Sequence, residues 1–92
     1  MQRYRWNQTE KPVEVEAVQL THDNVKDVVA WCDGLEVVEQ DPTNPSITFA
    51  GINVLTQSGM VRLSEGQYLI RGTSGHFFVA GPNTFEHNFK LS

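Results

Sequence analysis

The chain has 92 residues, a formal net charge of −4 and 39% hydrophobic residues, enough for one domain with a modest core and too little for an enclosed active site beside it. Acidic residues concentrate before Asp41, while the basic ones, among them Arg3, Arg5, Arg62, Arg71 and Lys90, are spread thinly; with no basic stripe, the composition argues against binding of duplex nucleic acid. Cys32 is the only cysteine, which excludes an internal disulfide, and no apolar run reaches the length of a signal core or a membrane span, so a soluble protein of a reduced cytoplasm is expected.

Residues 1–92 are expected to form a single domain, with 1–11 as an extended arm. The arm carries Arg3, Tyr4, Arg5 and Trp6, residue types that anchor protein interfaces and also stack on bases and pair with phosphates. The competing reading is an end that simply lays Tyr4 and Trp6 onto a sheet. Pro12 sets an extended start, and Val13, Val15 and Ala17 alternate with Glu14 and Glu16 as in a half-buried strand. Val18 and Leu20 then fall on the opposite parity, which predicts a bulge or a change of face near Ala17.

From Thr21 the period becomes helical. Val25, Val28, Val29 and Cys32 follow the i, i+3, i+4, i+7 spacing, predicting one main helix from about Thr21 to Asp33, capped by Thr21 or Asp23 and ended by Gly34. Trp31 lies beside the stripe and should close the helix against the sheet. Leu35 to Glu39 predicts a strand and Gln40 to Pro45 a polar loop. A meander of strands follows at Ile47 to Ala50, Ile52 to Thr56, Met60 to Leu63, Tyr68 to Arg71 and His76 to Ala80, with glycine-containing turns between most of them. Pro82 to Phe89 reads as a short helix opened by an Asn83–Glu86 capping box, or as a terminal strand. The expected fold class is α+β: one main helix packed on a curved antiparallel sheet or roll of short strands, with a short C-terminal helix.

No catalytic constellation emerges. His22, His76 and His87 lack ligand spacing, so no metal site is expected. Cys32 at the C-terminal end of a helix meets a dipole that disfavours a thiolate. Ser64-Glu65-Gly66 and Gly72-Thr73-Ser74-Gly75 lead into no helix that could bind a phosphate, and Glu14 and Glu16 alternate outward on one strand face. Neither an enzymatic activity nor a cofactor is expected.

Arg3-Tyr4-Arg5, Lys11 to Gln19 (KPVEVEAVQ), Gly66, Ile70-Arg71-Gly72, Gly75, Phe77, Pro82, Phe85-Glu86 and Phe89 together resemble the two ends of a small bacteriophage and prophage protein family, whose members open with a segment like YRKKPVEVEAVQW and close with one like GDWIIRGVKGEFYPCKPDIFEATY. Trp6 to Glu10 would be an insertion, and the middle of the chain does not resemble the family. The resemblance implies a phage origin and carries no reaction with it.

The run Tyr68, Ile70, Arg71, Phe77, Phe78 and Val79 should send Tyr68, Ile70 and one of the two phenylalanines to the core, leaving the opposite face too apolar for water. Self-association would cover it. The expected function is that of a non-catalytic, phage-derived accessory binding protein of the host cytoplasm. Its partner would be a host or phage protein, with antagonism of host defence by direct protein binding as its role and Arg3, Tyr4, Arg5, Trp6 and Arg71 as its anchors. The alternative is a nucleotide-binding module that sequesters a small signalling nucleotide, with arginines on the phosphates and an aromatic on the base.

Overall fold

The computed structural model describes residues 1–6, 13–40, 42–43 and 47–91. Residues 7–10 of the expected Trp6 to Glu10 insertion, the Pro12 start and half of the Gln40 to Pro45 loop lie outside the described residues. Those described form eight strands and two short helices in two sheets: β1 (Gln2–Trp6), β2 (Val13–Gln19), α1 (Val25–Cys32), β3 (Leu35–Gln40), β4 (Ile47–Thr56), β5 (Gly59–Leu63), β6 (Tyr68–Arg71), β7 (Phe77–Ala80), α2 (Pro82–Asn88) and β8 (Phe89–Leu91). The large sheet runs β7-β6-β2-β1-β8 and the small one β3-β4-β5.

This overturns the α+β expectation, because the protein is mostly β and no main helix packs on a sheet. The helical period at Val25 is real but brief. Upstream, the Asn24 side chain accepts a hydrogen bond from the Thr21 N–H (2.9 Å) and donates one to the Gln19 carbonyl (2.8 Å), so 21–24 are held as a turn and neither Thr21 nor Asp23 caps a helix. Downstream, Asp33 itself takes the left-handed conformation (φ 55°) and ends α1 after eight residues. Gly34 plays another part: a Cβ there would lie 2.7 Å from the Ile52 side chain and 2.9 Å from the Asn53 carbonyl, so the glycine admits the close passage of the chain over β4. Val28 is the one residue of α1 that is fully buried.

The parity slip in β2 has no bulge behind it. Pairing continues without a shift from Gln2↔Ala17 to Trp6↔Val13 on one side and from Glu16↔Arg71 to Gln19↔Tyr68 on the other. What changes is that both faces of the sheet are covered. Val13, Val15 and Ala17 join Tyr68, Ile70 and Phe85 in one cluster, whereas Val18 and Leu20 join Val28, Ile52, Val54, Leu63 and Leu69 in the other. A strand buried on two sides loses the clean alternation of a half-exposed one. The same arrangement absorbs the apolar surplus of the Tyr68 to Val79 hairpin: Leu69 is fully buried in the second cluster, and Phe77 packs edge-on against Trp31 at 5.2 Å.

The Gln2–Trp6 segment, where an arm is expected, is an interior strand of the large sheet, hydrogen-bonded to β2 and to β8. In the small sheet, the two strands expected on either side of Gly51 are one. Val37 pairs with Gly51 and Val38 with Phe49, leaving Ala50 unpaired as a bulge. One extra residue reverses the parity of everything before it, and so Phe49 packs against the same cluster as Ile52 and Val54. Gly51, at φ 137°, is buried with the Leu63 carbonyl 2.5 Å from where its Cβ would stand.

The C-terminal segment is both helix and strand. Gly81 precedes α2 without a side-chain cap and Pro82 supplies the first turn, so proline at the first helical position replaces the expected capping box. Phe85 of α2 is inserted against the face of the large sheet that carries Val15, Ala17 and Ile70, stacked on Tyr68 (3.9 Å between centroids) and Phe89 (4.8 Å), with Tyr4 edge-on at 4.8 Å.

Candidate functional site

Strand alternation divides the expected anchors. Arg3 is opposite Glu16, Arg5 is opposite both Glu14 and Lys90, and Glu16 is opposite Arg71; directly opposed residues share a face, so all six charges lie on one side of the large sheet. Tyr4 and Trp6 lie on the other. The groups expected to take a nucleotide's phosphates and those expected to take its base are thus separated by the thickness of the sheet.

On the charged side, Arg71 Nη2 donates to Glu16 Oε1, and its guanidinium lies 5.3 Å from the centroid of the Trp31 ring. That hydrogen bond holds the Glu16 carboxyl below its ordinary range. Arg3 stands 3.9 Å from Glu14, both well exposed. The shallow hollow here, about 310 Å³, has Arg3 and Arg71 facing Glu14 and Glu16; its charges cancel, and Arg71 already has two partners, so nothing draws an anion in.

The other face carries a groove of about 250 Å³ beside α2. Val15 and Ile70 form its floor; Trp6, Phe78 and Phe89 are its walls; Ala80, Thr84 and Asn88 complete the lining. Trp6 stacks on Phe89 at 6.3 Å and 19°, extending the Tyr68–Phe85–Phe89 stack to the surface. Trp6 is 38% and Phe78 43% exposed, over a floor that is buried. Asn88 donates its amide to the Thr84 carbonyl at 2.9 Å, which leaves the side-chain carbonyl as the acceptor at the rim. Among the described residues, no ionisable side chain lines this groove.

Of the five expected anchors, the groove contains Trp6; Tyr4 is packed beneath α2. The structure adds Phe78 and Phe89. The Phe77-Phe78 pair was the sequence signal, but which ring faces which side depends on the Ile70↔Phe78 register, set by the turn in which Gly72 N–H bonds to the His76 carbonyl and Gly75 N–H to the Gly72 carbonyl.

The remaining reactive groups stay scattered. His22 lies 3.3 Å from Asp23 and 3.4 Å from Glu65 at the surface, and among the described residues no three of His, Cys, Asp and Glu gather as a metal would require. Cys32 packs against the core beside Trp31, and burial pushes its thiol up. No described helix is long and apolar enough to cross a membrane.

Fold and groove together define a small two-sheet β domain with an aromatic-walled apolar cleft. Comparison with protein-family models, with curated proteins and with solved structures gives no match.

Proposed function

We propose that the chain is a non-catalytic binding protein of the phage or prophage type, acting in the host cytoplasm, that takes an apolar side chain of a host or phage protein into the groove between Trp6 and Phe78. Antagonism of a host defence system through that contact is the role to test first, and the terminal segments shared with the phage family support that origin. One observation carries the reading: two large aromatic rings are held partly open over a buried floor, with no acid, base or charged group among the described residues that line the groove. Such a site suits desolvation of an anchor residue rather than proton transfer.

The test begins with capture of partners from host lysate on the wild-type protein, followed by titration of the purified partner against Trp6→Ala, Phe78→Ala, Arg3→Ala and Arg5→Ala variants whose folding has been checked. Loss of a central aromatic anchor should weaken binding by about 2 kcal/mol, roughly thirtyfold. The arginine variants should change affinity little. If both aromatic variants bind as well as wild type, the groove is not the site. A small signalling nucleotide that binds saturably, and is lost on replacing Arg3 or Arg5, would replace this reading with sequestration.

A further inference from the structure

We infer that the outer face of the small sheet is a self-association surface and that its occupant is a second copy of this chain, related by a two-fold axis. Each face of the large sheet carries a buried cluster packed within the chain, and so does the inner face of the small one, where Ile52, Val54 and Leu63 are buried. The outer face of the small sheet has no cover among the described residues. Leu35, Leu55 and Met60 are 65%, 68% and 61% exposed. Leu55 is directly opposite Met60, and Leu35 is opposite Asn53, one diagonal step from Leu55, so the three make one continuous apolar strip. A free sheet face would carry polar side chains at these positions.

Charge selects the occupant. The face also holds Arg62, whose stem crosses the bare Gly51 backbone to bring its guanidinium within 3.6 Å of Glu39. The patch is therefore neutral on a chain of net charge −4, and it contains a cation and an anion that a two-fold axis would offer crosswise, each copy's arginine to the other's glutamate. A single-signed partner surface would gain one attraction and suffer one repulsion. The strip's size sets the strength. Strands of six, ten and five residues, at about 3.3 Å per residue and about 4.8 Å apart, give a footprint of about 330 Å² on each copy, below the roughly 800 Å² per partner of a stable specific interface. The expected dimer is weak and forms with rising concentration.

Sedimentation equilibrium of the whole chain, from micromolar to millimolar, should show the mass rising from 10.4 kDa towards twice that value. Leu55→Lys and Met60→Lys, each at an open position, should keep the wild-type melting temperature and weaken association at least about tenfold. Arg62→Glu and Glu39→Arg should each associate poorly alone and associate with each other when mixed. Trp6→Ala, on the other sheet, should dimerise like the wild type, which separates this surface from the groove. A wild-type protein that stays monomeric to millimolar concentration overturns the inference, and so does a Leu55→Lys protein that associates unchanged, or a charge-reversed mixture no better than its components.

Discussion

Replacing Gly51 with alanine tests whether the bulge in β4 governs how the small sheet meets the core. Two costs combine there. A φ of 137° belongs to glycine, and holding another residue in such a region costs about 1–3 kcal/mol. The new methyl would also stand 2.5 Å from the Leu63 carbonyl, a backbone atom that cannot swing aside, and overpacking of that kind adds about 1–3 kcal/mol. A loss of roughly 4 kcal/mol is expected, against a total stability of about 5–14 kcal/mol for a domain of this length. Gly75→Ala is the control, since Gly75 also has positive φ (85°) but nothing within 4 Å of the added atom; its cost should be about 1–2 kcal/mol. Urea denaturation followed by tryptophan fluorescence, from Trp6 and Trp31, measures both, with equal slopes required for the comparison. If the two alanine variants differ by less than about 1 kcal/mol, the close approach to Leu63 is not what demands glycine, and the account of the bulge fails.

Phe85→Ala should cost about 4 kcal/mol and Phe85→Leu only about 1–2, because leucine refills most of the volume and loses the ring contacts; a Phe85→Leu protein as stable as wild type in chemical denaturation would show that stacking with Tyr68, Phe89 and Tyr4 contributes nothing. Cys32→Ala should cost roughly 1 kcal/mol, and at pH 8 iodoacetamide should alkylate the folded thiol more slowly than a free cysteine, since burial raises its pKa; equal rates would refute the packing role. Glu16 is depressed in the folded state by Arg71, so its contribution is present above the unfolded glutamate pKa and is lost as the pH falls through the folded one. Melting temperatures of wild type and Glu16→Gln should differ most near neutrality and converge in acid; a gap independent of pH would show that the pair contributes nothing through charge.

Most strand positions were legible because turn residues punctuate them: Tyr68 to Arg71 is found where expected, and Phe77–Ala80 within one residue. The errors share a cause. Periodicity reports how many sides of an element are covered, not how large the element is. Val25 to Cys32 shows a good helical stripe, yet the Asn24 side-chain bonds and the left-handed Asp33 confine it to eight residues. Ala17-Val18 looked like a break because a two-sided strand and a bulged one-sided strand carry the same pattern. The bulge that does exist, at Ala50, was masked by Gly51 reading as a turn. At the site, Arg3 to Trp6 stood out by residue type, but membership of a strand, which sends neighbours to opposite faces, could be inferred only once β8 was known to pair with it. Phe78 and Phe89 come together through register and tertiary packing, and local sequence encodes neither.

The position of β1 between β2 and β8 also has a kinetic meaning. Tyr4 finds Leu91 across nearly the whole sequence, and Glu16 finds Arg71 across more than half of it, contacts of the long-range kind that slow folding to milliseconds or longer. During synthesis β2 follows β1 directly, whereas β8, the strand on its other side, is made only after α1, β3 to β7 and α2. At about 5–20 residues per second, the β8 side of β1 stays unpaired for several seconds. The large sheet cannot be completed until β8 has been made, and over that interval the growing chain presents β1 as one more strand edge open to strand-to-strand aggregation.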